Sequence, residues 1–199
     1  GKDETTLIKP KKRLENVRDA LRSIIYEDGR SSTNHVDNLL ERGVFDNPKS
    51  HVILKRLFSF VTDKNDIILD FFSGSATTSE SIIQLNAEED LGSDGRKFIA
   101  IQLPEVLSKD ITSQKVAYNF LESIGRPTTL DYTGIERITR AADKIKEKTK
   151  ADIDYGFKHF ILNEPNQNTL DKCESFDKAS LIADSTILDD FGVPTVLAT

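Results

Sequence analysis

The stretch Ile67-Ile68-Leu69-Asp70-Phe71-Phe72-Ser73-Gly74-Ser75-Ala76-Thr77-Thr78 decides the fold. It opens on a short all-apolar run, Ile67–Leu69, of the kind that forms a strand buried on both faces of a parallel sheet. The small residues Ser73, Gly74 and Ser75 follow as a turn. Thr77 and Glu80 then stand at the spacing of a capping box, and Ile82, Ile83 and Leu85 supply the buried face of a helix. Glu88 to Arg96 is acidic and glycine-containing, so it reads as a solvated turn, and Phe98-Ile99-Ala100-Ile101 reads as a second buried strand. Strand, turn, helix and strand in that order predict a right-handed βαβ unit, and with it an α/β fold.

Upstream, Asn47-Pro48 predicts a helix start, because Asn caps and Pro tolerates the first helical position. Ile53, Leu54, Leu57, Phe58 and Val61 form one apolar stripe, which Thr62–Asn65 breaks. Residues 28–43 read as a polar loop with a short helical turn over Val36–Leu40. Leu14, Val17, Leu21, Ile24 and Ile25 recur at helical spacing and predict a helix that Asp28-Gly29 stops. Downstream, a helix is expected around Lys115–Ile124, and Ile135, Ile138, Ala142 and Ile145 mark a long one ending near Lys150. Tyr155–Leu162 reads as a third strand. The organisation expected is a helical lead-in over 1–43 with a flexible N-terminal end, a ligand-binding part over 44–162, and a truncated C-terminal extension over 163–199.

Composition bounds the rest. With 199 residues, 37% hydrophobic and 30% charged, the chain suits one soluble domain. It has no apolar run of about 18 residues, so no membrane span is expected, and the start GKDETTLIKPKKR is not a signal peptide. One cysteine, Cys173, fits a reducing compartment, and a cytoplasmic location is the expectation. His35, His51 and His159 have no metal-ligand spacing, so no metal is expected. A formal charge of −6 argues against a free-standing nucleic-acid binder. Arg137, Arg140, Lys144, Lys146, Lys148 and Lys150 make a basic helix end, which reads as a solvated face more readily than as a DNA phosphate contact. The absence of methionine suggests an excised fragment.

The turn is where function is expected. Small residues after a buried strand let a ligand approach the backbone, and the next helix offers free N–H groups and a positive dipole end. Such a site suits a phosphate or a carboxylate. The spacing is not G-x-G-x-x-G, no Gly-Lys-Ser/Thr follows, and Ser75 lacks the G-x-S-x-G frame. An ordinary strand-to-helix turn is the plain alternative.

The string Asp70-x-Phe72-x-Gly74-Ser75-x-Thr77-Thr78 resembles the S-adenosylmethionine motif of amino-type (beta-group) DNA adenine methyltransferases, with Ala76 where that family usually has Gly. Phe45-x-Asn47-Pro48-Lys49 resembles the segment that covers the methionine end of the cofactor, where Lys49 either meets its carboxylate or is a solvated residue. Phe98 to Glu105 resembles the second strand and its exit, leaving Gln102 or Glu105 for the ribose hydroxyls. Gln102-Leu103-Pro104-Glu105, Gly134 to Ala141 and Gly156-Phe157-Lys158 are similar to the modification subunit of type III restriction–modification systems. The resemblance implies a partial Rossmann-like parallel sheet flanked by helices, with S-adenosylmethionine as cofactor. It implies cofactor contacts from Phe45, Pro48, Lys49, Asp70, Phe72, Gly74, Ser75, Thr77 and Gln102. The implied reaction is methyl transfer to adenine N6 in DNA, with DNA bound through the parent protein and a restriction subunit as partner. The family's Asp-Pro-Pro-Tyr type catalytic tetrapeptide is absent; Asn163-Glu164-Pro165-Asn166 is no match, and no catalytic residue is assigned. The chain by itself is expected to be inactive, and the edge of strand Ile67–Leu69 is expected to associate, as a homodimer or larger. The competing readings are a nucleotide-binding Rossmann domain, disfavoured by glycine spacing, and an interaction fragment with a vestigial pocket.

Overall fold

The computed structural model describes residues 24–162, together with Gln167 and Asp171. The helix expected from Leu14 onward lies outside the described residues except for its last two positions, and so does the extension from 163, apart from Gln167 and Asp171. The chain divides into two units, residues 1–156 and 157–199. In the first unit the element order is α1 (Gly29–Leu39), α2 (His51–Val61), β1 (Ile67–Asp70), α3 (Thr77–Glu89), a 3-10 turn (Gly92–Asp94), β2 (Lys97–Ala100), α4 (Lys115–Ser123) and α5 (Leu130–Thr149).

The central unit is β1-α3-β2. The two strands pair in parallel from Ile67 opposite Lys97 to Asp70 opposite Ala100. Backbone bonds extend the ladder at both ends: Lys97 N–H donates to Asp66 O at 2.8 Å, and Ser73 N–H donates to Ile101 O at 3.0 Å. Helix α3 crosses between the strands, packs against α2, α5 and β2, and is buried from Thr77 to Ala87 except at Gln84. The mixed α/β class and the helix-flanked parallel strands are therefore present. Ile67, Leu69 and Ile99 nonetheless remain about half exposed, so this face of the sheet is uncovered among the described residues.

Four expectations give way. Residues 28–43 do not form a loop: Asp28 accepts from Arg30 N–H at 3.0 Å and starts α1, and Ile24 and Ile25 are not helical. Ser32, Val36 and Leu39 are one helical face apart, and a serine within that stripe hides it from hydrophobic periodicity. Val36, Leu39, Leu40 and Val44 pack with Leu107, Ala117, Phe120, Leu121 and Ala141 as the main core. Helix α2 starts at His51 rather than Asn47-Pro48. Asn47 takes φ 51°, unlike the extended geometry of a cap, whereas Ser50 accepts from Ile53 N–H at 3.2 Å. The strand expected over Tyr155–Leu162 is absent: residues 151–162 carry no strand, and Asp154 closes a local turn by accepting from Gly156 N–H at 2.8 Å. Finally, α5 does not present all its basic residues to solvent. Arg137 is fully buried, and Arg140 donates to the α1 carbonyls Leu39 O (3.2 Å) and Leu40 O (3.4 Å) while lying over the Phe120 ring.

The passage from α3 to β2 is held by one side chain. Asn86 is buried and mimics a paired strand: its Nδ2 donates to Arg96 O at 2.9 Å and its Oδ1 accepts from Arg96 N–H at 3.0 Å. The Arg96 guanidinium then binds Thr62 Oγ1, Thr62 O and Glu89, tying the end of α2 to the start of β2. Asn86→Leu strands a buried N–H and a buried carbonyl at once, so it should cost about 2–4 kcal/mol. Urea denaturation measures this, and a loss under about 1 kcal/mol would show that water replaces both bonds.

Candidate functional site: the turn between β1 and α3

The turn Ser73–Ala76 leaves the carboxyl end of β1, the position where open α/β sheets bind ligands. Two residues adopt left-handed backbone, Gly74 at φ 51° and Ala76 at φ 58°. Glycine carries no steric penalty there, whereas alanine bears roughly 1–2 kcal/mol of strain. Gly74 N–H donates to Gln102 Oε1 at 2.8 Å, and Ala76 N–H donates to Ser73 O at 2.7 Å. Asp70 spans the turn, accepting from Thr78 Oγ1 at 2.6 Å and from Phe72 N–H at 3.3 Å. Phe45 approaches the same place; a Cβ on Gly74 would sit 3.5 Å from Phe45 Cζ.

The structure thus gathers Phe45, Asp70, Gly74, Ser75, Thr77 and Gln102 around one turn. Phe72 adjoins it and is 79% exposed. Pro48 is buried, while Lys49 is exposed and lines an open cleft with Gly29, Arg30, Thr33, Asn34 and Asn47. Asp70 and Gln102 spend their side-chain oxygens on the turn itself, so they shape it from within.

The start of α3 departs from the expected capping box. Ala76 is the N-cap, and no side chain caps the helix. Thr77 Oγ1 and Ser75 Oγ instead accept from Arg137 Nη1 at 2.8 and 2.6 Å, and the same nitrogen donates to Ser75 O at 3.1 Å. Glu80 meets Arg137 Nε at 2.8 Å through Oε2 and His35 Nε2 at 2.5 Å through Oε1. A buried guanidinium must be paired, and that requirement outweighs a local cap. Ser75 and Thr77 are therefore turned inward and buried, and the half-exposed part of the turn is Ser73 and Gly74. Gly134 of α5 lies under the turn: a Cβ there would come within 3.1 Å of Gly74 O and 3.4 Å of Ala76 Cβ. The Ala76 methyl is buried, so its cost lies in the backbone rather than in crowding an open face.

Sequence spacing missed the group beneath the turn. His35 and His51 stack with ring centroids 3.9 Å apart, and Glu80 completes a cluster whose ligand atoms lie within 4.8 Å of one another. Arg137, 2.7 Å from Glu80, already fills the role of its cation. Burial lowers the His51 pKa, helped by the charges of His35, Arg137 and Lys55 and opposed by Glu80. Burial alone would raise the Glu80 pKa, but the His35 hydrogen bond and the Arg137 charge outweigh it and hold the carboxyl below its ordinary range. The sequence showed Glu80 in a capping-box spacing and Arg137 in a basic helix and in the string from Gly134 to Ala141, without revealing that the two are partners.

A small-residue turn after a parallel strand, braced on both sides and leading into an uncapped helix, belongs to an α/β domain. Residues 2–151 match the DNA methylase family of N6 and N4 methyltransferases, and the chain belongs to that family. It is similar to the type III restriction-modification enzyme StyLTI Mod subunit of Salmonella typhimurium, at 36% identity over 78% of this chain and 24% of that protein. It is also similar to the EcoP15I Mod subunit of Escherichia coli, at 30% identity over 100% of this chain and 28% of that protein. The EcoPI Mod subunit of Escherichia phage P1 is 36% identical over 47% of this chain and 14% of that protein. The chain spans about a quarter of the length of the first two relatives.

Two outcomes test this geometry. Gly134→Ala would stabilise an exposed helix by about 1 kcal/mol, but contact with the Gly74 carbonyl should reverse the sign to a loss of about 1–2 kcal/mol. Urea midpoints decide it, and a stabilised variant would mean that α5 does not press on the turn. For pH, His51 is depressed below 6.5, so its contribution is complete above 6.5 and is lost as pH falls through its folded value. Glu80, depressed below 4.5, adds a second loss at lower pH. Stability should therefore begin to fall below pH 6.5, and His51→Asn should flatten that first decline in urea titrations across pH.

Proposed function

We propose that this chain is the S-adenosylmethionine-binding part of a site-specific DNA adenine N6-methyltransferase of the type III restriction–modification kind. The observation that carries the reading is the Ser73–Ala76 turn: a left-handed glycine faced by Phe45, at the carboxyl end of a parallel strand, opening into a helix with no side-chain cap. Membership of the DNA methylase family and similarity to Mod subunits support it. In this reading β1-α3-β2 is part of a larger Rossmann-like methyltransferase sheet, consistent with an apolar sheet face left uncovered.

The residues fit such a cofactor. The start of α3 has no side-chain cap, and the positive end of its dipole suits a carboxylate. The turn backbone, Phe45 and Phe72 would line the site, with Pro48 and Lys49 on the segment that follows Phe45. Of the two residues weighed for the ribose, Gln102 braces Gly74, whereas Glu105 is exposed. When bound, the cofactor supplies an electrophilic methyl group. The chain's own residues hold and orient it, and no described residue supplies the pocket for a flipped adenine. Alone, the chain is therefore expected to be inactive. Its proposed partners are DNA through the parent protein, a restriction subunit, and a second copy at the free edge of β1. No helix among the described residues is long and apolar enough to cross a membrane; a cytoplasmic location belongs to the same proposal.

Titration calorimetry with S-adenosylmethionine and S-adenosylhomocysteine tests the reading. Binding should occur, and Gly74→Asp should weaken it by at least about tenfold, since Asp tolerates left-handed backbone yet sets a like charge against the ligand carboxylate. No heat with either ligand would favour a vestigial pocket, and equal affinity in the variant would move the site elsewhere.

A further inference from the structure

We propose that Arg137 is a positioning residue for cofactor binding: from helix α5 it holds the buried Ser75–Thr77 segment, and so sets the shape of the half-exposed Ser73–Gly74 turn that the ligand would meet. The inference rests on the proposed cofactor site but assigns a role to a residue outside it.

Arg137 is fully buried, so every donor left unpaired is costly. Glu80, 3% exposed, balances its charge at 2.7 Å. Nη1 reaches one carbonyl and two hydroxyls, Ser75 O and Ser75 Oγ on the turn and Thr77 Oγ1 on the first residue of α3. These residues flank Ala76, whose left-handed backbone is intrinsically unfavourable and must be imposed by its surroundings. Gly134, one helical turn before Arg137, lets α5 come close enough for the reach: a single added carbon would contact Gly74 O at 3.1 Å.

Charge alone does not explain this arrangement. Glu80 neutralises the cation locally, so Arg137 adds little net field at the start of α3. What remains is geometry: a rigid planar fork that bonds Glu80 through one edge and the turn through another. Glu80 is itself held by His35 of α1, so the order of support runs from α1 through Glu80 and Arg137 to the turn. A lysine would keep the charge and lose the fork, which separates the two explanations.

The test uses the full 199-residue chain as wild type, Arg137→Lys and Thr77→Val. Thr77→Val removes one acceptor without leaving a buried charge unpaired, so it covers the case in which the lysine variant folds poorly. Two measurements are made: S-adenosylhomocysteine affinity and stoichiometry by calorimetry, and amide hydrogen exchange across residues 73–77 in the unliganded protein. Arg137→Lys is expected to weaken binding about tenfold, with one site per folded molecule retained and faster exchange confined to the turn. Thr77→Val should show the same pattern at smaller size. A merely structural arginine would lower stoichiometry or melting temperature while leaving the dissociation constant and turn exchange unchanged; that result overturns the inference. If the wild type binds nothing, the cofactor reading fails. The exchange data still decide whether Arg137 sets the turn: slow turn exchange in both variants overturns the proposal on its own.

Discussion

The buried pair of Glu80 and Arg137 joins parts of the molecule that share little sequence proximity. Glu80 lies in the first turn of α3, Arg137 in the middle of α5, and His35 reaches the same carboxylate from α1. Neither charge is tolerable alone in that interior, and removing one partner of such a pair is far more damaging than the net worth of the pair. The consequence is a constraint on everything around it. Helix α3 gives up its own cap, Ser75 and Thr77 turn their hydroxyls inward, and α5 must carry glycine where it passes under the turn.

That constraint explains why the Ser75 and Thr77 side chains are buried beneath the turn. Asp70 and Gln102 brace it from the strand ends, and Arg137 braces it from below. The two phenylalanines differ in kind: Phe45 closes on Gly74, while Phe72 stands in solvent.

The sheet shows the opposite condition. Parallel strands are ordinarily covered on both faces, yet Ile67, Leu69 and Ile99 are about half exposed, and β1 has one partner among the described residues. Helix α2 is likewise only half buried, with Val52, Phe60 and Val61 open to solvent. A buried polar network around the turn thus coexists with apolar surface that has the composition of an interior. Apolar surface of this kind is characteristic of faces that pack against further protein.

Local sequence determined the strand at Ile67, the turn, the crossover helix, the second strand, and the helices at Lys115 and Leu130, because each is written in short-range periodicity and turn chemistry. It also determined the family, since the turn motif is contiguous. Tertiary structure decided what periodicity does not encode. Helix α1 was hidden because its buried face includes Ser32, and the apparent capping box of Thr77 and Glu80 dissolved because a distant arginine competes for both side chains. The run after Tyr155 had the residues of a strand but no partner strand among the described residues, and extended backbone is stable only where its N–H and C=O groups are paired. The roles of His35, His51 and Arg137 follow from the same physics: buried charge is satisfied across space, so the partner of Glu80 is found by folding the chain and not by reading along it.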